Sequence, residues 1–245
     1  MTDAPDAVDP PVTDRLIDAA LAHVPFDGWS PATLRRAAED ADVDLTVAHA
    51  VFPRGPVDMA LAFHRRGDDA MAARIKAANL GEMKFRERVA SAVRWRIEAV
   101  EDHKEAVRRG ATLFALPQHA ADGTRALWQT ADRIWTELGD TASDVNWYTK
   151  RATLSGVYGS TVLYWLGDES LGNQATWGFL DRRIEDVMQI EKVKAAVNAN
   201  PLLRAAFALP NWALSQVRAP MTPPKMGFPG QWRSPAARDG EERPQ

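Results

Sequence analysis

Five histidines, His23, His49, His64, His103 and His119, are the side chains here best suited to metal or acid–base chemistry, and their spacing supports neither. No pair shows the Glu-x-x-His or His-x-x-x-His spacing that sets two ligands on one helix face. His64 and Asp68 are four apart, which reads as a surface hydrogen bond rather than half of a metal site. "GEMKF" and "GVYGS" lack the Gly-x-x-x-x-Gly-Lys pattern of a phosphate loop. Ser155 and Ser160 have no nearby histidine to activate them. Zero cysteines excludes disulfides, thiolate metal sites and thiolate nucleophiles. The acid pairs Glu98/Asp102 and Glu101/Glu105 sit at helical spacing among Arg and Lys, the pattern of an exposed salt-bridged face. The sequence therefore predicts no catalytic centre, no metal and no cofactor; a binding protein is expected.

The elements that must position any binding site read as helices almost throughout. "TDRLIDAALAHV" carries an N-cap signal at Thr13 and apolar residues at 16, 17, 20, 21 and 24, one helical face. "SPATLRRAAEDA" repeats the signal with Ser30 as cap and Pro31 at the first helical position. "DLTVAHAVF" is a short third helix ending at Pro53, packed through Val47, Val51 and Phe52, and a longer helix runs from about Val57 to Asn79. "EMKFRERVASAVRWRIEAVEDHKEAVRR" reads as one charged amphipathic helix up to Gly110. Helices over "TRALWQTADRIWTELG", "WYTKRATLSGVYGSTVLYWLG" and "TWGFLDRRIEDVMQIEKVKAAV" complete an all-α chain without period-two alternation.

Charge and hydropathy bound the partners. The net charge of −3 argues against general nucleic-acid binding, yet the stretch Lys192–Arg238 holds seven cations and no Asp or Glu. The longest uncharged run, Ala152–Gly167, has 16 residues, too short and too glycine-rich to span a bilayer. "MTDAPDAVDPPV" is acidic and proline-rich, unlike a signal or transit sequence, so a cytoplasmic protein is expected. Residues 201–218, "PLLRAAFALPNWALSQVR", place apolar residues on one face and Arg204 and Arg218 on the other. That composition suits a helix lying on an anionic membrane surface through Leu202, Leu203, Arg204, Phe207, Leu209, Trp212 and Arg218, with Pro210 as a kink point. An apolar face docked on the protein body is the alternative. Residues 1–12 and the Pro-rich 219–245 are expected to be disordered.

Residues 13–64 resemble the N-terminal domain of TetR-type regulators in "RLIDAAL", "GW", "LRRAAEDADV" and the Phe52 of "AVFP". The resemblance implies a helix-turn-helix head over 13–56. Its chemistry departs from a DNA reader, because Val43–Pro53 holds no Lys, Arg or Tyr and its second residue is Asp44. No specific nucleic-acid partner is expected. A ligand-responsive transcriptional regulator remains the rival reading.

The segment 139–188 is the most distinctive, with Trp147, Tyr148, Tyr158, Tyr164, Trp165, Trp177 and Phe179 within 33 residues. Leu154, Tyr158, Val162, Leu163, Trp165 and Leu166 form one stripe of a helix that also carries Gly156, Gly159 and Ser160. Small residues beside large apolar ones leave room for close helix packing or for an apolar guest. Trp147 and Tyr148 instead open the helix beside Asp144, Lys150 and Arg151, which suits a partner hot spot; a hydrophobic staple onto the preceding helix is the alternative.

"D-x-NWYTKR" at 144–151 and "TWGFLDRRIEDVM" at 176–188 closely resemble the accessory lipid-binding family of ubiquinone (coenzyme Q) biosynthesis, the ninth coenzyme Q protein type. The resemblance runs from about Ala131 to Val193. It implies a TetR-like, dimeric, non-catalytic protein peripheral to the inner membrane, holding an isoprenoid or quinone lipid in its 57–200 domain. On that reading Trp128, Leu154, Tyr158, Val162, Trp165, Trp177 and Phe179 line the lipid pocket. The family's binding patch for the di-iron demethoxyubiquinone hydroxylase maps onto Asp144, Trp147, Tyr148 and Arg151, with Ile134 on the preceding helix.

Overall fold

Short-range signals start the helices of the head. In a computed structural model that describes residues 10–141 and 145–199, the chain opens with α1 (Val12–Asp27), α2 (Pro31–Asp40) and α3 (Leu45–Val51). Ser30 caps α2 by accepting from the Thr33 N–H at 3.2 Å, and Pro31 takes the first position, where its missing N–H costs nothing. α1 starts two residues earlier than Thr13 suggests: Pro11 flanks it, and Thr13 lies inside the first turn. Gly28, at φ 66°, ends α1 in the left-handed region and turns the chain into α2.

α3 packs through a different set of residues than its pattern implies. Ala48 and Phe52 are buried and Val51 is half-buried against the core, whereas Val47 is 45% exposed. A helix of seven residues can face the core with only one row, and Ala48 with Phe52 one turn on fills it. Asp44 caps this helix, accepting from the Thr46 N–H at 2.7 Å, and that bond holds its carboxyl below the usual range. Two of the cations near α3 are engaged in surface ion pairs, Arg36 with Asp27 at 2.7 Å and Arg54 with Asp58 and Asp122 at 2.9 and 3.0 Å.

The body comprises α4 (Pro56–Ala77), α5 (Phe85–Glu98), α6 (Lys104–Phe114), α7 (Ala120–Glu137), α8 (Val145–Leu166) and α9 (Gln174–Ala199), and no strand occurs among the described residues. The charged helix expected up to Gly110 is broken: α5 ends at Glu98, and a short 3-10 turn at Glu101–His103 leads into α6. The break redirects the chain. α5 packs on α4, α7 and α9, while α6 packs on α1 and α7, where the Trp29 indole donates to the Ala106 carbonyl at 3.0 Å and ties head to body. A straight helix could not reach both sets of neighbours.

One hydrophobic core runs from Leu16 in α1 to Ile184 in α9. On α8, Leu154, Tyr158 and Trp165 face it, but Leu163 is 67% exposed because nine residues at about 100° each put it opposite Leu154. Asp168 starts α9, accepting from the Ser170 N–H, the Thr176 N–H and the Thr176 hydroxyl at 2.8, 2.9 and 2.6 Å. These bonds hold its carboxyl well below the usual carboxylate range. Residues 200–245 lie outside the described part of the chain, so Leu202, Leu203, Arg204, Phe207, Leu209, Trp212 and Arg218, and the boundaries at 201–218 and 219–245, are not placed here. The same holds for Asp144 and for residues 1–9.

Candidate functional site

α6, α7 and α8 do not close completely over α4 and α5, and a cavity of about 480 Å³ remains between them. Small residues create it. Gly110 and Ala111 on α6, Gly123 on α7, and Gly156, Gly159 and Ser160 on α8 all line it. Gly123 lets α6 and α7 approach, since a Cβ there would sit 2.7 Å from the Phe114 Cβ. Gly156 meets nothing within 4 Å, so its missing side chain is open space at the mouth. The mouth lies where exposed lining residues gather, at Ala115, Thr124, Gly156 and Leu163. A cavity of this size accommodates a ring with part of an aliphatic chain.

At the inner end the lining changes character. Arg96, 2% exposed, reaches across from α5 to α4, donating from Nε to Asp68 Oδ1 at 2.6 Å and from Nη2 to the His64 carbonyl at 2.9 Å. His64 Nδ1 lies 3.3 Å from Arg96 Nη2, and its Nε2 lies 2.8 Å from the Thr130 hydroxyl. Burial, with the Arg96 charge second, pulls the His64 pKa down to about 4, so the imidazole is neutral, donating from Nε2 and accepting at Nδ1. Thr130 in turn donates to Asp68 at 2.9 Å. Burial pushes the Tyr158 phenol up to about 12, beside the Arg96 guanidinium at 5.8 Å. The Arg96–Asp68 pair is thus compensated within itself, and the cavity floor carries no net charge.

His64 and Asp68 are therefore not a surface pair, because α5 lies over them and seals them in with Arg96; Asp68 is 7% exposed. Gly67 makes the crossing possible, since a Cβ there would sit 2.5 Å from Arg96 Nη1. Local spacing does not reveal this network, whose partners come from α4, α5, α7 and α8. Trp29, Phe63 and one face of α6, through Ala106, Val107, Gly110, Ala111 and Phe114, also line the cavity, none of them expected there from the sequence.

Of the seven residues expected around a lipid, Tyr158, Val162 and Trp165 line the cavity. The other four lie elsewhere. Leu154 is buried in the core outside the lining. Trp177 donates to the Gly172 carbonyl at 2.8 Å and lies under Arg94, on the α5–α9 side. Phe179 stacks on Tyr164 at 4.6 Å, away from the cavity lining. Trp128, on α7, packs against Trp147 and Tyr148 at 5.9 and 6.3 Å.

That last contact builds a second feature, a half-buried aromatic cluster of Trp128, Trp147 and Tyr148 at the start of α8. Arg151 lies beneath it. Its guanidinium sits 3.9 Å from the centroid of the Trp147 ring and bridges Asp132 and Asp140 at 2.5 and 3.1 Å. At 2% exposure Arg151 supports the cluster rather than presenting itself at the surface. Ile134 is likewise a core residue at 0% exposure, because it is on the α7 face turned inward, and it offers nothing to a partner in this arrangement.

The COQ9 family model matches residues 120–191, which span α7, α8 and most of α9. The Drosophila melanogaster ubiquinone biosynthesis protein COQ9, mitochondrial, is 30% identical over 193 residues, covering 77% of this chain and 59% of that protein. The chain is thus similar to COQ9 proteins over most of its own length. The rat and human members, similarly named, are 29% and 28% identical over 82% and 80% of this chain, and 68% and 66% of their own length. The chain thus spans less than two thirds of its fly relative. A TetR transcriptional regulator from Nitrosomonas europaea superposes with a TM-score of 0.60 at 19% identity, covering 72% of this chain and 97% of the regulator, which establishes a TetR-like fold. Among the described residues no cluster of three or more His, Asp or Glu could hold a metal ion, and no helix is long and apolar enough to cross a membrane.

Proposed function

We propose that this chain is a non-catalytic accessory protein of ubiquinone biosynthesis that holds an isoprenoid quinone intermediate and presents it to the di-iron demethoxyubiquinone hydroxylase. The observation that carries the reading is the cavity: open, walled by small and apolar residues, about 480 Å³ in volume, within a chain related to ubiquinone biosynthesis proteins. Trp147 and Tyr148, with Trp128 now joined to them, form the docking patch for the hydroxylase, and Arg151 positions Trp147 from below. Half-buried aromatics on a charged platform are the composition of interface hot spots. The amphipathic sequence at 201–218 brings the protein to the surface of the inner membrane, and the working unit is a homodimer. A transcriptional role is disfavoured by an α3 without cations and by its Asp44 cap, which occupies the N-terminus that would receive a phosphate.

Native mass spectrometry of the protein purified from quinone-producing cells tests the reading. An isoprenoid quinone is expected on the wild type and not on Gly156→Leu, which fills the mouth without a backbone clash. A lipid-free wild type overturns the cavity assignment. In the same preparations Trp147→Ala with Tyr148→Ala should abolish co-purification of the hydroxylase while helicity is kept; unchanged co-purification overturns the patch.

A further inference from the structure

Trp165 lies at the inner part of the cavity lining with 0% exposure, and its indole N–H has no hydrogen-bond partner. Such a donor is unusual, since buried N–H groups are nearly always paired. The other indole donors for which a bond is seen here each have a carbonyl: Trp29 on Ala106, Trp135 on Lys150 and Trp177 on Gly172. Trp165 is also held firmly, with Lys104 Nζ 5.2 Å from its ring centroid and that ammonium committed to the Asp168 carbonyl at 2.7 Å.

The floor around it selects against charge. Arg96 is matched by Asp68 at 2.6 Å, and His64 is neutral, so no uncommitted cation lines the inner end. A carboxylate there would be desolvated with Arg96 already paired to Asp68 and the Lys104 ammonium held on the Asp168 carbonyl, which is costlier than burying a neutral oxygen. The walls nearer the mouth, Phe114, Leu127 and Leu163, offer apolar contact only.

We propose that the Trp165 indole N–H is the recognition point for a neutral oxygen acceptor, a ring carbonyl, on a ligand that enters the cavity ring first and leaves its aliphatic chain toward Leu163. The inference rests on the cavity being a ligand site, as above, and adds the polarity of the bound molecule and its direction. A hydrocarbon of the same shape leaves the donor unmade, and a fatty acid places its charge on a floor that is already neutral. Trp165 distinguishes the three by one hydrogen bond.

Calorimetric titration of the full chain with a decyl-substituted benzoquinone, decylbenzene and decanoate, all in one detergent, tests this. The wild type should bind the benzoquinone about tenfold more tightly than decylbenzene, the worth of one buried hydrogen bond. Trp165→Phe should bring the ratio of benzoquinone to decylbenzene affinity close to one, whatever its effect on decylbenzene itself. Equal benzoquinone affinity in wild type and Trp165→Phe, or tighter binding of decanoate than of the benzoquinone, overturns the proposal while the cavity reading stands. Failure of both uncharged probes to bind the wild type overturns the cavity reading together with this one. If Trp165→Phe loses decylbenzene too, its core is disturbed and the wild type decides: the ¹⁵N-indole resonance of Trp165 should shift downfield with the benzoquinone and not with decylbenzene, and an unmoved resonance overturns the assignment.

Discussion

Acidification should destabilise this protein in part through His64, and replacing that residue by Gln should remove that part. In the unfolded chain an imidazole titrates near 6.5, whereas in the fold burial and Arg96 hold His64 neutral down to about 4. Between those values the unfolded state binds a proton that the native state does not. Stability is therefore full above pH 6.5 and falls as the pH drops toward 4, at up to about 1.4 kcal/mol per pH unit. Integrated from pH 7 to pH 5, the loss assignable to this residue is about 2 kcal/mol. Carboxylates titrate at the lower end of this range, so the informative quantity is the difference between wild type and His64→Gln. The glutamine amide can still donate to the Thr130 hydroxyl and carries no charge at any pH. Urea unfolding of both proteins at pH 7 and pH 5 should show the wild type losing about 2 kcal/mol more than the variant. An equal loss in the two proteins would refute the neutral, buried imidazole. A larger loss in the variant would reverse the sign of the argument.

Three further substitutions test the supports of the two features. Gly67→Ala gains about 1 kcal/mol of helix propensity but forces its Cβ to 2.5 Å from the Arg96 guanidinium, so a net loss of about 2 kcal/mol is expected in urea unfolding; Gly156→Ala, with open space around it, should instead stabilise by up to about 1 kcal/mol. Arg151→Met leaves Asp140 buried with Lys150 as its remaining cation and takes the platform from Trp147, so a loss of about 3 kcal/mol and a collapsed near-ultraviolet dichroism signal are expected; an unchanged aromatic signal would separate Arg151 from the cluster.

Helix identity was legible because it depends on neighbours in the chain. The Ser30–Pro31 start, the Asp44 cap and the Pro53 stop all act within a few residues, and the period of apolar positions marked the inner face of α8 through Leu154, Tyr158 and Trp165. Where the reading slipped, a distant element intervened. The continuous pattern from Lys84 to Gly110 conceals a break, because amphipathic periodicity persists across a turn that only the positions of α1 and α9 require. Trp128, Trp177 and Phe179 looked alike as aromatics on amphipathic helices. Their separate fates, to the α8 cluster, the α5 side and the Tyr164 stack, follow from which helix lies opposite each one.

By itself the sequence determined the all-α class, a head without the charge to read DNA, and the motifs at 144–151 and 176–188 that carry the resemblance, since all are written in residue types and short spacings. Tertiary structure alone decided what encloses what. His64 and Asp68, ordinary at four residues apart, become a sealed neutral floor only when Arg96 arrives from α5 and Thr130 from α7. Trp165 becomes a donor without an acceptor only once packing has excluded water and every local carbonyl from it. Burial and pairing are properties of several elements at once, and residues separated by 28 to 77 positions meet here through packing that no local pattern encodes.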